Sequence, residues 1–172
     1  MKRKKINIIL FIITVAYLLN CVNPFAPGLV DEISSRNELL TEQNTPEEVL
    51  TNFKYAYTFQ DSLIYSDIID SSFTFHTMDY DISPPTPIEW NRDEELRITG
   101  RMLRYFSSID LIWNNTLYTD TLSVNEISMR KSFILIFNEG SQIPILSGQV
   151  QFNFIRRNDE KWYLSYWEDL KL

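Results

Sequence analysis

His76 is the only histidine in the chain. It follows Phe73-Thr74-Phe75, whose alternation reads as a strand. An imidazole exchanges protons near neutral pH, and Asp61, Asp79 and Tyr80 are the nearby residues that could orient it as a base. The competing reading is a strand-end histidine at the surface or in a structural hydrogen bond. Other reactive chemistry is sparse. With one His and one Cys there is no zinc-type ligand cluster. Asp79-Tyr80-Asp81 begins like a calcium loop, but Ile82-Ser83-Pro84 supplies neither the glycine nor the later ligands, so it reads as a solvated turn. Four glycines form no phosphate cradle, and no Ser or Cys sits in a nucleophile elbow. No metal and no cofactor is therefore expected. Of the residues that could act in catalysis, His76 alone is a candidate.

The lone cysteine has a different context. Lys2, Arg3, Lys4 and Lys5 form a basic cluster, and Ile6 to Leu19 is apolar except for Asn7 and Thr14. A basic start followed by a short apolar run is an export signal, and the run falls short of the roughly 20 residues a spanning helix needs. It ends in Leu18-Leu19-Asn20-Cys21, which resembles the lipobox of bacterial lipoproteins, although Leu19 and Asn20 are bulkier than the usual small pair. The resemblance implies cleavage before Cys21 and a thioether-linked diacylglycerol on its sulfur. That would cap a thiol which cannot form an internal disulfide. Residues 1–20 are then a signal peptide, and 21–44 a lipidated Cys with a flexible tether, punctuated by Pro24 and Pro27. The expected location is the bacterial cell envelope, with the membrane contacted through Cys21.

Charge narrows the partners. Of 16 basic residues the leader holds four and of 23 acidic residues none, so the remainder carries 12 against 23, about −11. Nucleic acid is excluded as a partner, because binding its phosphates needs clustered Lys and Arg. An apolar fraction of 44% and an aromatic fraction of 14% suffice for one core of ordinary domain size.

The elements that must position these residues begin at Thr45. Thr45-Pro46-Glu47-Glu48 is a capping box with proline at the first helical position, and Val49, Leu50, Phe53, Ala56 and Tyr57 recur at helical spacing. Asp61 or Ser62 caps a second helix carrying Ile64, Tyr65, Ile68 and Ile69. Residues 81–87 contain three prolines and read as a loop or extended segment. Asn91-Arg92-Asp93-Glu94 opens a third helix with Leu96, Met102, Leu103 and Phe106 inward. From Ser107 the period becomes two: Ile109, Leu111 and Trp113, then Ser132 to Asn138 ended by Glu139-Gly140-Ser141, then Val150, Phe152 and Phe154. Arg157 to Glu160 reads as a hairpin turn. In the last strand Trp162, Leu164 and Tyr166 share one face, assigned inward, with Trp167 half-exposed on the other. The fold class is α+β, a curved antiparallel sheet of about four to five strands wrapped around three N-terminal helices.

From Thr45 to Leu172 this order resembles the nuclear transport factor 2-like family, the cystatin-like cone. Thr45-Pro46-Glu47-Glu48-Val49-Leu50 with Phe53, Ala56 and Tyr57 carries the resemblance, as do Tyr65-Ser66-Asp67-Ile68-Ile69 before Phe73-Thr74-Phe75 and the ending Trp162 to Asp169. The resemblance implies a cone with an apolar pocket, and Tyr57, His76, Trp113 and Phe152 are the residues expected to line it. Members include dehydratases, isomerases, polyketide-cyclase-like enzymes and binding domains, so the fold does not fix the function. The expected function is a non-catalytic envelope lipoprotein binding a small apolar ligand or an envelope protein. One alternative is a lyase or isomerase using His76, and another is a structural envelope component.

Overall fold

The computed structural model describes residues 39–138 and 145–170. The leader, Cys21, the tether up to residue 38 and the Glu139-Gly140-Ser141 turn lie outside the described residues.

Three helices form where the caps predict. α1 (Pro46–Thr58) is capped by Thr45, whose Oγ1 accepts from Glu48 N at 3.2 Å, while Glu48 Oε2 reaches back to Asn44 N at 2.7 Å. Its stripe of Val49, Leu50, Phe53, Ala56 and Tyr57 is buried. α2 (Ser62–Ile68) is capped by Asp61, which accepts from Leu63 N and Ile64 N. α3 (Arg92–Tyr105) is capped by Asn91, which accepts from Glu94 N. Between α1 and α2, Gln60 takes a positive φ of 53°. Its amide donates to Leu103 O at 2.7 Å and Phe106 O at 2.6 Å, supplying partners for carbonyls that the end of α3 leaves open.

The sheet has six strands in the order β2-β1-β6-β5-β4-β3: β1 (Ile69–Asp79), β2 (Thr86–Asn91), β3 (Ser108–Ser123), β4 (Glu126–Asn138), β5 (Ile145–Arg156) and β6 (Trp162–Leu170). It is curved and unclosed, with β2 and β3 as its edges. The helices pack on its inner face, where Phe73, Ile109, Met129, Val150, Phe152 and Leu164 are buried.

Three expectations need correction. The strand count is six, not four to five, because residues 86–91 form an edge strand on β1. Pro87, opposite Met78, is tolerated there because an edge has one side without ladder bonds. The sheet is not wholly antiparallel: the meander β3 to β6 brings the last strand beside the first, and β1 and β6 run parallel. The third correction concerns β6. Phe154 pairs with Leu164 but Asn153 pairs with Tyr166, so Ser165 is an extra residue, a β-bulge. The alternation changes phase at that point. Trp162 and Leu164 face inward as expected, but beyond Ser165 the inward residue is Trp167, opposite the fully buried Phe152, while Tyr166 faces out with Asn153.

The residues just before α1 are packed against the domain. Thr41 N donates to Asn52 Oδ1 at 2.8 Å, and Trp162 N donates to Gln43 O at 2.8 Å.

Candidate ligand-binding cavity

A cavity of about 270 Å³ lies between α1, α3 and the inner face of the sheet. Its walls are mostly apolar and aromatic: Tyr57 from α1, Met102 from α3, Trp113 from β3, Phe133 from β4, and Phe75 with Trp90 from β1 and β2. Phe75 and Trp90 are cross-strand partners with rings stacked at 3.9 Å and 10°. The bulge in β6 adds Trp167 to this wall, at 5.6 Å from both the Phe53 and Phe75 rings and 5.5 Å from Phe152.

Few polar groups enter. Glu95, only 3% exposed, projects from α3 on the same helical stripe as Thr99 and Leu103. Its carboxylate accepts from Tyr65 Oη at 2.6 Å, Thr99 Oγ1 at 2.7 Å and Trp90 Nε1 at 2.7 Å. These donors satisfy the buried oxygens, as burial of a carboxylate requires. All three are uncharged. Asp169 stands at the rim. It is exposed as a whole residue yet lines the cavity, and Trp167 Nε1 donates to its Oδ1 at 2.7 Å.

The titration behaviour follows. Burial pushes the Tyr57 hydroxyl far above its ordinary range, Glu95 pushes it further, a hydrogen bond with Thr99 pulls the other way, and Asp169 adds the smallest push. Tyr65 is raised for the same first reason, then by Glu95. Both phenols are therefore hydrogen-bond donors rather than bases. Desolvation raises Asp169, the bond from Trp167 opposes that, and the charge of Glu95 adds to it. The cavity can hold a small apolar molecule against aromatic walls and address it with two carboxyl groups. Among the described residues no group of His, Cys, Asp and Glu could hold a metal ion.

The sequence-predicted residues separate. Tyr57 and Trp113 line the cavity. Phe152 stands behind its wall, fully buried, touching Trp113 and Trp167 edge-on. His76 is not at the cavity. Phe73 and Phe75 point into the core, so their neighbour His76 points to the opposite face of β1, between Glu89 on β2 at 3.8 Å and Glu168 on β6 at 3.5 Å. Of its expected orienters, Asp79 accepts from Asp81 N and Asp61 caps α2. Glu95, Thr99, Trp90 and Asp169 were not singled out from sequence, and Trp167 was assigned to the outer, half-exposed face of β6. A charged residue on an otherwise inward stripe is the signal that would have found Glu95.

A second, larger cleft of about 640 Å³ opens at the other end of α2 and β1, lined by Leu40, Asp67, Asp70, Arg92, Arg157 and Lys161 among others. One of its carboxylates is held by a guanidinium, and a second guanidinium binds backbone carbonyls. Arg157 Nε donates to Asp70 Oδ2 at 2.7 Å, its Nη2 donates to Oδ1, and Arg92 donates to Ile69 O and Ser66 O. Burial pushes Asp70 up, but the bonds from Arg157 and Ser72 outweigh that and hold it at about 2.

No family model matches the chain, and no curated protein matches it. Solved structures do. A protein from Novosphingobium aromaticivorans assigned as a scytalone dehydratase superposes with a TM-score of 0.60 at 14% identity, covering 81% of this chain and 85% of that one. A nuclear transport factor 2-like superfamily protein from Salmonella enterica serovar Typhimurium gives 0.57 at 10% identity, covering 80% and 91%. An uncharacterised protein with a cystatin-like fold from Caulobacter vibrioides gives 0.57 at 9%, covering 73% and 86%. The fold is the nuclear transport factor 2-like cone. At these identities the likeness establishes the architecture, and the chemistry has to be read from the cavity.

Proposed function

We propose that the chain is an envelope lipoprotein, anchored through Cys21, whose cone binds a small apolar ring compound without transforming it. The carrying observation is the cavity itself: aromatic walls with a few convergent polar groups, just below the ~300–1,000 Å³ of typical ligand pockets. Its buried polar atoms are engaged by Tyr65, Thr99 and Trp90, the arrangement of a preformed receptor. Titrating the full chain with naphthalene should quench tryptophan fluorescence saturably, since Trp90, Trp113 and Trp167 line the site. Met102→Trp, which fills the cavity, should weaken binding by about ten-fold or more. A linear, non-saturating response in both proteins would overturn the reading. The anchor is tested separately: palmitate labelling should appear in the wild type and vanish in Cys21→Ser, and an unlabelled wild type refutes it.

A lyase reading is favoured by one observation, the raised pKa of Asp169 across the cavity from Tyr57, and by the name of the Novosphingobium aromaticivorans neighbour. It would use Asp169 as the acid, with His76 on the far side of the sheet. Loss of water from scytalone, followed by absorbance and abolished by Asp169→Asn, would establish that reading against the non-catalytic one.

A further inference from the structure

We infer that the cavity selects an organic cation, a small aromatic or aliphatic ammonium, over neutral and anionic molecules of the same shape; this rests on the cavity being a ligand site. Two features carry it. The first is charge. Glu95 and Asp169 both line the cavity, and among its described lining residues none is Lys, Arg or His. The bonds to Glu95 come from a phenol, an indole and a hydroxyl, none of which brings positive charge. The field reaching the interior is accordingly negative: Glu95 and Asp169 each act on Tyr57, and Glu95 acts on Asp169, with no cation among the causes for either group. An anion entering would meet two carboxyl groups in a poorly solvated space, where like charges are strongly unfavourable.

The second feature is the way the indoles are held. Trp90 Nε1 donates to Glu95 and Trp167 Nε1 donates to Asp169, each at 2.7 Å. The same carboxylate–indole pairing therefore occurs twice around one cavity. A carboxylate on the indole N–H polarises the ring and enriches its π face, and Trp is the strongest aromatic partner for a cation. Tyr57, Trp113 and Phe133 complete an aromatic enclosure. A cavity built only for apolar rings would need neither carboxylate. The cleft around Asp70 shows that this chain places an arginine against a buried carboxylate elsewhere, whereas Glu95 and Asp169 receive only neutral donors and no described lining residue of the cavity is cationic.

The test uses three benzyl compounds on the full chain, followed by tryptophan fluorescence: benzyltrimethylammonium, its neutral carbon isostere neopentylbenzene, and the smaller anion phenylacetate. Benzyltrimethylammonium should bind about ten-fold or more tightly than neopentylbenzene, and phenylacetate should not bind. Asp169→Asn, at the rim where folding is not at risk, should remove most of that preference, read as the ratio of benzyltrimethylammonium to neopentylbenzene affinity. If the neutral isostere binds as well as the cation, the inference is overturned and the cavity reading stands. If the cation preference survives in both Asp169→Asn and Glu95→Gln, it does not arise from these carboxylates and the inference is likewise overturned. If none of the three ligands binds saturably, the cavity reading falls as well.

Discussion

Two carboxylates in this domain are equally buried and are treated in opposite ways. Asp70 and Glu95 are each 3% exposed. Asp70, at the polar cleft, is gripped by the Arg157 guanidinium and capped by Ser72. Glu95, at the aromatic cavity, receives only neutral donors. A buried charge with an opposite charge beside it is a fastener, joining β1 to the β5–β6 turn across 87 residues of chain. A buried carboxylate held by neutral dipoles keeps its field for whatever occupies the space next to it. The cleft end is therefore read as the structural end of the cone, and the cavity end as the functional one.

That contrast can be broken in order of expected effect. Arg157→Met strands Asp70. Removing one partner of a fully buried pair costs about 3–5 kcal/mol; the Arg157 side chain is 41% exposed, so a loss of about 2–3 kcal/mol in urea denaturation at pH 7 is expected. A change under 0.5 kcal/mol would deny the clip a structural role. The acid limb of stability tests the same pair. The folded pKa of Asp70 lies at about 2, below its ordinary 3.8. Its stabilisation is thus complete above about pH 4 and is lost as pH falls toward 2, about 2 kcal/mol in all. In Arg157→Met that component should disappear, which stability measured from pH 5 to pH 2 would show.

A third comparison concerns the start of the folded unit. A chain beginning at Thr45 lacks the bonds from Thr41 to Asn52 and from Trp162 to Gln43 O, whereas one beginning at Asn37 keeps them. At about 1 kcal/mol per net hydrogen bond, the shorter chain should be less stable by about 1–2 kcal/mol in thermal or urea melts; equal stability would mean that these contacts contribute nothing. The smallest effect is expected at the functional end. Glu95→Gln keeps the shape and one acceptor oxygen, so a loss of about 1 kcal/mol is expected. A loss as large as that of Arg157→Met would make Glu95 a second fastener and erase the distinction.

The sequence made the helices legible because their ends are written in short-range chemistry. Thr45, Asp61 and Asn91 cap where predicted, and the apolar stripe of α1 is the buried one. The candidate site was legible only in part. Tyr57 and Trp113 were found because they follow periodicity. Glu95 was missed because a stripe is usually read for its apolar members and this one carries a charge. His76 was placed at a pocket although the alternation of Phe73 and Phe75 already puts it on the other face. The strand at Thr86–Asn91 was hidden by Pro87 and the two prolines before it, since a proline disqualifies a central strand but not an edge. Trp167 was out of reach, because a bulge depends on how two strands pair and the single strand carries no mark of it.

The extra residue at position 165 means that β6 spells its inner surface in two reading frames. Before it, every second residue counted from Trp162 belongs to the core; after it, the count restarts and selects Trp167 and Asp169. Pressing Ser165 into regular register opposite Asn153 would leave composition and hydrophobicity untouched, yet it would exchange Trp167 and Asp169 for Tyr166 and Glu168 at the cavity, whereas deleting it would keep Trp167 opposite Phe152. One position without a functional side chain of its own thus acts as the punctuation mark that decides which half of the strand's vocabulary a ligand meets.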